Sequence, residues 1–506
     1  MVKSTLGPRG MDKMMVDTVG DVTITNDGVT ILKDLEVQHP AAKMVVEVSK
    51  TLDEECGDGT TSAVIILGEL LKRSVDLLDA DVHPTNIVKG YRLAGEKALE
   101  ILRSLSIPTG IGDEASLRNI ATTAMMSKAV TASREHMADL AVRAVRAVAE
   151  KSNSHHTVDL DNIQIVKREG GSMEDTELLQ GIIIDGHPPH PSMPRKVRDA
   201  RIALLSSALE VRKTEVSAEI QITEPSQLQA FVREEENTLR EMVRQLKKAG
   251  ATAVFCQKGI DELAQHFLAQ EGILALQRVK ASDLEKLSKA TNAGIVTKPA
   301  DLGEGDLGGA ASIEVRKIES EEMTFVTGCE NPRAVSILIR GGTKHVVDEI
   351  ERSLDDALNV VRLAVEDEAM VTGGGSTAME LAMRLHDYAD EMGGREQLAI
   401  SAFARSMEAI PAALAENAGW DALNVLIEMR KAHKAGDVHA GLNVFTGKIE
   451  DMGRNNILEP LRVNSRIISA ATEAASLIIR IDDVIAAKTG GAGAPTPGGE
   501  GEMPED

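Results

Sequence analysis

Two stretches of helical texture bracket a central stretch of a different kind, and this interruption limits the folds open to the chain more than any other feature. Apolar residues recur at helical spacing from Pro40 to about Asp53, from just after Gly59 to about Asp79, and from Pro84 to about Leu105. Helical spacing returns over 344–366, where Val347, Ile350, Leu354, Leu358, Val361 and Val365 step by three or four, and it continues from 373 onward with a hairpin near 443–450. Between them, β-type runs at 181–184, 202–205, 253–255 and 295–296 alternate with helices, which reads as α/β. The intervening 113–180 mixes a helix at about 130–151 with a strand at 163–166. One texture wrapped around another predicts an inserted domain whose two ends return close together. At 506 residues the chain exceeds a single core, so about three domains are expected.

Aromatics make up only 2% of the chain, with a single Trp420, so the cores must be built from aliphatic residues and Ala. Basic residues number 56 against 79 acidic ones, a net charge of −23, which argues against a nucleic-acid partner because phosphate binding needs a basic surface. No run reaches about 18 apolar residues, so no membrane span is expected. Cys56, Cys256 and Cys329 lie far apart, match no metal spacing and fit a reducing compartment. With no apolar region following Met1-Val2-Lys3-Ser4, a cytoplasmic location is expected.

No GxxxxGK[ST] loop is present, so the commonest nucleotide-binding route is absent. The glycine-rich turns are of another kind. Gly57-Asp58-Gly59-Thr60-Thr61-Ser62 precedes a long helix, where glycines let an anion approach the free amides of a helix N-terminus and Asp58 offers a hard oxygen ligand. Taken alone, the same turn is equally a capped helix start. Gly373-Gly374-Gly375 also precedes a helix, and alone it is equally a hinge. Asn26-Asp27-Gly28, between Val22, Ile24 and Ile31, reads by default as a hairpin turn. Asp356 lies two residues past Leu354, about 200° around the helix from the apolar stripe, where an acid is ordinarily just solvated.

Taken together, these motifs resemble the group II chaperonins of the archaeal thermosome type, relatives of the eukaryotic cytosolic chaperonin. The family order is carried by Leu6 to Met14 (Leu-Gly-Pro-Arg-Gly-Met-Asp-Lys-Met), Thr25 to Gly28, His39 to Lys43, Gly57 to Thr61, Val335 to Gly342, Glu351 to Leu358, Leu458 to Val463 and Ile481 to Ile485. The resemblance covers nearly the whole chain. It implies a multi-domain chaperonin fold, with a mostly α-helical equatorial domain, an α+β intermediate domain and an α/β apical domain with a helical protrusion. The equatorial domain would comprise 1–112 and 372–488, the intermediate domain 113–179 and 337–371, and the apical domain 180–336 with a lid protrusion at about 208–245. The Gly-, Pro- and acid-rich 489–506 would be a disordered tail.

The implied function is ATP-dependent folding of non-native proteins in a double-ring cavity closed by a built-in lid. The ring would hold identical or paralogous subunits in two stacked rings of eight or nine. Residue by residue, Leu6, Gly7 and Pro8 would line the phosphates of ATP, and Asp58 would bind Mg2+. Gly59, Thr60 and Thr61 would hold phosphates, Lys128 would sense the γ-phosphate, and Gly374, Asn443 and Glu459 would approach the ribose or base. Asp27 and Asp356 would position and activate the attacking water, a role that suits a carboxylate. The helix 260–270, with Leu263, Phe267 and Leu268, is a surface for holding client proteins or, equally, core.

The chain departs from the family in three places. Relatives carry a strand and a long helix before the Leu-Gly-Pro turn, whereas five residues precede Leu6 here. A truncated equatorial domain is therefore expected, with an assembly-impaired or binding-only scaffold as the alternative function. Glu368 stands where relatives have Gly, and Met125-Met126-Ser127-Lys128 replaces a Gly-containing loop. A monomeric kinase-like enzyme is the remaining reading, and the chain lacks that signature set.

Overall fold

The computed structural model describes all residues except 17–19, 21, 128–132, 153–154, 212–224, 331 and 485–506, and the side chains of 225–228. Lys128, the tip of the expected protrusion and the C-terminal tail thus lie outside the described residues.

Helices α1 (Gly28–Asp34), α2 (Pro40–Cys56), α3 (Thr60–Asp79) and α4 (Pro84–Ser104) come first. Next are α5 (Glu114–Ala124) and α6 (Arg134–Val148), and the middle of the chain carries α7 (Pro225–Ala249), α8 (Glu262–Gln270) and α9 (Ala281–Thr291). The long α10 (Lys344–Asp367) leads back to α11 (Ser376–Met392), α12 (Gly394–Met407), α13 (Ala409–Asn417), α14 (Ala422–Lys434) and α15 (Leu461–Ile479). Local chemistry sets the starts of α2 and α4. Pro40 and Pro84 occupy the first helical positions, and the ring nitrogens of His39 and His83 accept from the amides of Ala41 and Thr85.

The scarcity of aromatics is met by close approach. Gly90 of α4 abuts Ala399 of α12, and Gly95 abuts Thr472 of α15. Around these contacts Ile87, Tyr91, Ala94, Ala98, Ile101 and Leu102 form the buried stripe of α4, and Tyr91 meets Phe403 edge-on at 5.8 Å. The same core continues through α5, α6 and α10 to a three-stranded sheet of Ile163–Glu169, Val335–Gly341 and Glu177–Leu179.

The central stretch builds a seven-stranded sheet, ordered Leu274–Leu276, Ala253–Cys256, Lys196–Leu205, Gly308–Ile318, Glu321–Thr327 and Gly181–Asp185, with Ile295–Val296 also paired to Lys196–Leu205. Its first strands are parallel and its last are antiparallel. Both faces are covered. Ile202 and Leu204 pack with α9 on one side, while Ala203 and Leu205 pack with α7 and α8 on the other. That two-sided burial explains why these strands read as continuous apolar runs.

A small sheet of Leu458–Pro460, Ala369–Thr372 and Ile107–Pro108 sets Ile107 beside Met370, and the Thr109 amide donates to the Glu368 carbonyl. The chain therefore leaves and re-enters the helical assembly at adjacent points. Glu368, the C-cap of α10, has φ +52°, in the left-handed region that favours glycine.

One sequence expectation changes and two are sharpened. Asn26-Asp27-Gly28 is not a hairpin turn. The hairpin lies earlier, between Lys13–Val16 and Val22–Thr25, and Ile31 sits in α1. Asp27 caps α1 instead, because its carboxylate accepts from both the amide and the hydroxyl of Thr30, at 3.0 and 2.6 Å. Of the three apolar candidates in α8, Phe267 and Leu268 are core residues and Leu263 is exposed. Finally, Gly394–Asn417 is long and apolar enough to cross a membrane, but it is split into α12 and α13 and is mostly buried against the helical core.

Candidate functional site

The site is a cleft of about 450 Å³ in the helical assembly. Segments far apart in sequence form its walls, with further lining from 123–127 and 407–414. The chief ones are the turn Leu6-Gly7-Pro8, the turn Asp58-Gly59 ahead of α3, the triple glycine 373–375 ahead of α11, and the stretch 442–468 running from a hairpin into α15.

Two helices present their N-termini to this cleft. Gly59 is the N-cap of α3 and Gly375 the N-cap of α11, both with positive φ and neither with a side-chain cap. Their first-turn amides and positive dipole ends therefore face the same space, an arrangement suited to a polyanion. Gly59 is required twice over. Its φ is +82°, and a Cβ there would lie 2.7 Å from Ile467 Cδ1 and 2.8 Å from Val463 Cγ1. The hydroxyls of Ser376 and of Thr377, which lines the cleft, donate to the Thr372 carbonyl and so offer the cleft no uncommitted hydrogen.

The acidic groups sit beside these turns, Asp58 directly before Gly59 and Glu459 against Gly373. Asp58 lines the cleft and accepts from its neighbour's amide, Gly59 N, at 2.6 Å. Glu459 accepts from the Asn464 amide at 2.8 Å. It keeps some solvent contact across the cleft, yet burial pushes its carboxyl up to about 7. The Asn464 hydrogen bond works the other way, and the charge of Asp58 adds to the rise. Among the described residues no three His, Cys, Asp or Glu side chains converge as a metal cage. A single cleft carboxylate does fit a hard cation that takes its remaining ligands from phosphate oxygens and water, as Mg2+ does.

Part of the lining is apolar, with Ile410, Leu414, Leu442, Met452 and Ile457, a character that suits a nucleobase. Of the expected ligands, Leu6, Gly7, Pro8, Asp58, Gly59, Gly374, Asn443 and Glu459 all line this one cleft. Thr60 and Thr61 open the first turn of α3 without lining it. The Asn443 side chain is engaged in its own turn, donating to Glu450 and accepting from the amides of Phe445 and Thr446. What it offers the cleft is position rather than an uncommitted amide.

Asp27 and Asp356 lie outside the cleft lining. Both are nonetheless held beside it. Gly28 packs on Thr61, and Asn26 donates to the carbonyl of Ser127, which does line the cleft. Asn359, one turn on from Asp356 in α10, packs directly on Gly57. Asp356 is half-buried on α10, whereas its offset from the apolar stripe predicts a solvated acid; its neighbour Asp355 is the exposed one.

Several contributors escaped sequence reading. Asn417 donates to the carbonyls of Lys3 and Leu6, each at 2.9 Å, and so holds the Leu-Gly-Pro turn. Pro411 abuts Gly375, and Trp420 donates to the Val444 carbonyl. These residues sit in plain helical or loop text, and a lone Pro411 inside an apolar helix was the only local signal.

Known proteins resemble this chain along its length. The TCP-1/cpn60 chaperonin family is matched over residues 1–489. The thermosome subunit beta of Archaeoglobus fulgidus is 54% identical over 509 residues, covering 100% of this chain and 92% of that protein. The thermosome subunit of Methanopyrus kandleri is 54% identical over 487 residues, covering 96% and 89% respectively. A solved open-state monomer of a group II chaperonin from Methanococcoides burtonii is 43% identical with a TM-score of 0.62, covering 84% of this chain and 100% of that one.

Proposed function

The chain belongs to the TCP-1/cpn60 chaperonin family, and from that premise we propose that it is a cytoplasmic, ATP-hydrolysing folding subunit working in a double ring of identical or paralogous copies. The observation that carries the reading is the cleft in which two uncapped helix N-termini meet the Leu6-Gly7-Pro8 turn and the Asp58 carboxylate.

In this reading the apolar part of the lining takes the base, and the amides leading α3 and α11 take the phosphates. Asp58 holds Mg2+, which when bound neutralises phosphate charge during transfer. Asp27 and Asp356 orient the attacking water. Asp356 stands on α10, which re-enters the helical assembly where residues 107–109 and 368–370 pair. Movement at that neck would carry Asp356 toward or away from the cleft and so link closure to hydrolysis.

Residues 1–112 and 372–488 act as the equatorial domain, 113–179 and 337–371 as the intermediate domain, and 180–336 as the apical domain. Clients are non-native chains. Their apolar surface meets exposed Leu263 of α8 and exposed Phe231 and Val232 of α7.

The test is the mass of the particle by light scattering with Mg-ATP, together with phosphate release. Sixteen or eighteen copies of a 54.1 kDa chain make a particle of roughly 0.9–1.0 MDa. A particle of that size releasing phosphate supports the reading. A monomer that neither assembles nor hydrolyses ATP overturns it.

A further inference from the structure

Behind the cleft lies a buried ionic group that none of the roles above uses. His433 of α14 has a side chain with no exposed surface, and Glu380 of α11 is 7% exposed. The two meet at 2.6 Å, His433 Nδ1 to Glu380 Oε2. The other ring nitrogen, Nε2, lies 2.8 Å from the carbonyl oxygen of Ala440. The Ala440 carbonyl can only accept, so Nε2 donates to it, while Nδ1 and Glu380 share a proton across their short contact. Arg384 donates to the remaining Glu380 oxygen at 2.7 Å. Burial opposes the Glu380 charge, but the hydrogen bonds from His433 and Arg384 outweigh it and hold the carboxyl below its ordinary range. A buried charge group of this kind is kept together by its full set of partners.

Its reach explains its place. Ala440 begins the strand Ala440–Asn443, and this strand lies flush on the triple glycine. The Leu442 amide donates to the Gly374 carbonyl at 3.0 Å. A Cβ on Gly441 would sit 2.9 Å from that same carbonyl and 2.5 Å from Met452 Cγ. Glu380 stands on α11, whose N-terminus the triple glycine forms. The ring of His433 therefore ties the strand forming one wall of the cleft to the helix whose N-terminus forms another.

We infer that His433 is a positioning residue for nucleotide binding, fixing the Ala440–Asn443 strand, and through it the Gly373–Gly375 turn, by the hydrogen bond from Nε2 to the Ala440 carbonyl. The inference rests on the nucleotide reading of the cleft. It assigns His433 no contact with the nucleotide.

Two substitutions separate the halves of the ring. In His433→Gln the amide nitrogen falls near the place of Nε2 and keeps the tether to Ala440. In His433→Asn it falls near Nδ1, keeping Glu380 and losing Ala440. Each keeps one of the two hydrogen bonds, so a role in the Glu380 contact or in packing alone would not single out the variant that loses Ala440. Mg-ADP affinity is measured by calorimetry on the full-length protein, alongside thermal unfolding and kcat at saturating Mg-ATP. The Asn variant is expected to bind Mg-ADP at least about fivefold more weakly and the Gln variant within about threefold, since one buried hydrogen bond is at stake. kcat at saturation should stay within about threefold in both, because no group at the reacting atoms changes.

If His433→Asn does not fold, Gly441→Ala pushes the same strand off Gly374 and should weaken Mg-ADP binding comparably. Equal affinity in wild type, His433→Asn and Gly441→Ala, or equal weakening of the Asn and Gln variants, overturns the inference while leaving the nucleotide reading standing. Failure of the wild type to bind Mg-ADP overturns both.

Discussion

Replacing Glu459 by Gln should change how stability depends on pH, and the size of the effect can be worked from the cleft. Burial, reinforced by the charge of Asp58, moves this carboxyl from its ordinary 4.5 to about 7. At 1.36 kcal/mol per tenfold change, that displacement corresponds to about 3 kcal/mol, and partial solvent contact lowers the observable share to about 1–3 kcal/mol. The sign follows from the proton count. Between about 4.5 and 7 the folded chain holds a proton at Glu459 that the unfolded chain has released. The contribution is therefore full below 4.5, falls as pH rises through about 7, and is flat above. A Gln side chain resembles the protonated acid at every pH. Glu459→Gln should match wild type near pH 5 and exceed it by about 1–3 kcal/mol near pH 8.5, read on nucleotide-free, Mg2+-free protein by guanidinium unfolding of the helical assembly. Adding Mg2+ should shrink the difference, because a cation on Asp58 removes part of the repulsion. Parallel stability curves for the two proteins from pH 5 to 8.5 would refute the reasoning.

Gly59→Ala should cost about 2–4 kcal/mol, combining the left-handed backbone with overpacking against Ile467 and Val463, and nucleotide affinity should fall with it; denaturant unfolding and calorimetry check both. Asp356→Ala should lower kcat for ATP by about 100-fold or more while Mg-ADP affinity stays within about threefold, a split that single-turnover phosphate release resolves. Glu368→Gly should stabilise the chain by about 0.5–1 kcal/mol, since φ +52° burdens any side chain at that C-cap; a lower unfolding midpoint would show that the His156 contact or helix-end contacts matter more. Burial pushes the thiols of Cys56, Cys256 and Cys329 up to about 11, so a disulfide reagent at pH 7.5 should label them only after unfolding, and rapid labelling of the native chain would contradict that burial.

Sequence alone determined a good deal of this protein, for reasons that are local. Helix starts were legible at Pro40, Thr60, Pro84 and Ser376 because proline, capping residues and glycine act within one turn. The amphipathic period of α10 placed Asp356 off the buried stripe, and strands covered on both faces showed as unbroken apolar runs. The motif order carried the family, and Glu368 in a glycine position was visible before its positive φ was known.

Tertiary structure alone decided what those local signals do. Asn-Asp-Gly before a β-branched residue fits a hairpin as well as a helix cap, and only the pairing of Lys13–Val16 with Val22–Thr25 left Asp27 free to cap α1. Leu263, Phe267 and Leu268 share one helix, yet only packing against α7 and the sheet separates the exposed residue from the two buried ones. Glu459 is an ordinary glutamate in the sequence, and its raised carboxyl comes from walls and a neighbouring Asp58 some four hundred residues away along the chain. The group of His433, Glu380 and Ala440 has no spacing to recognise. Burial, dielectric surroundings and through-space charge depend on which segments meet, and sequence periodicity reports only which face of a segment turns inward.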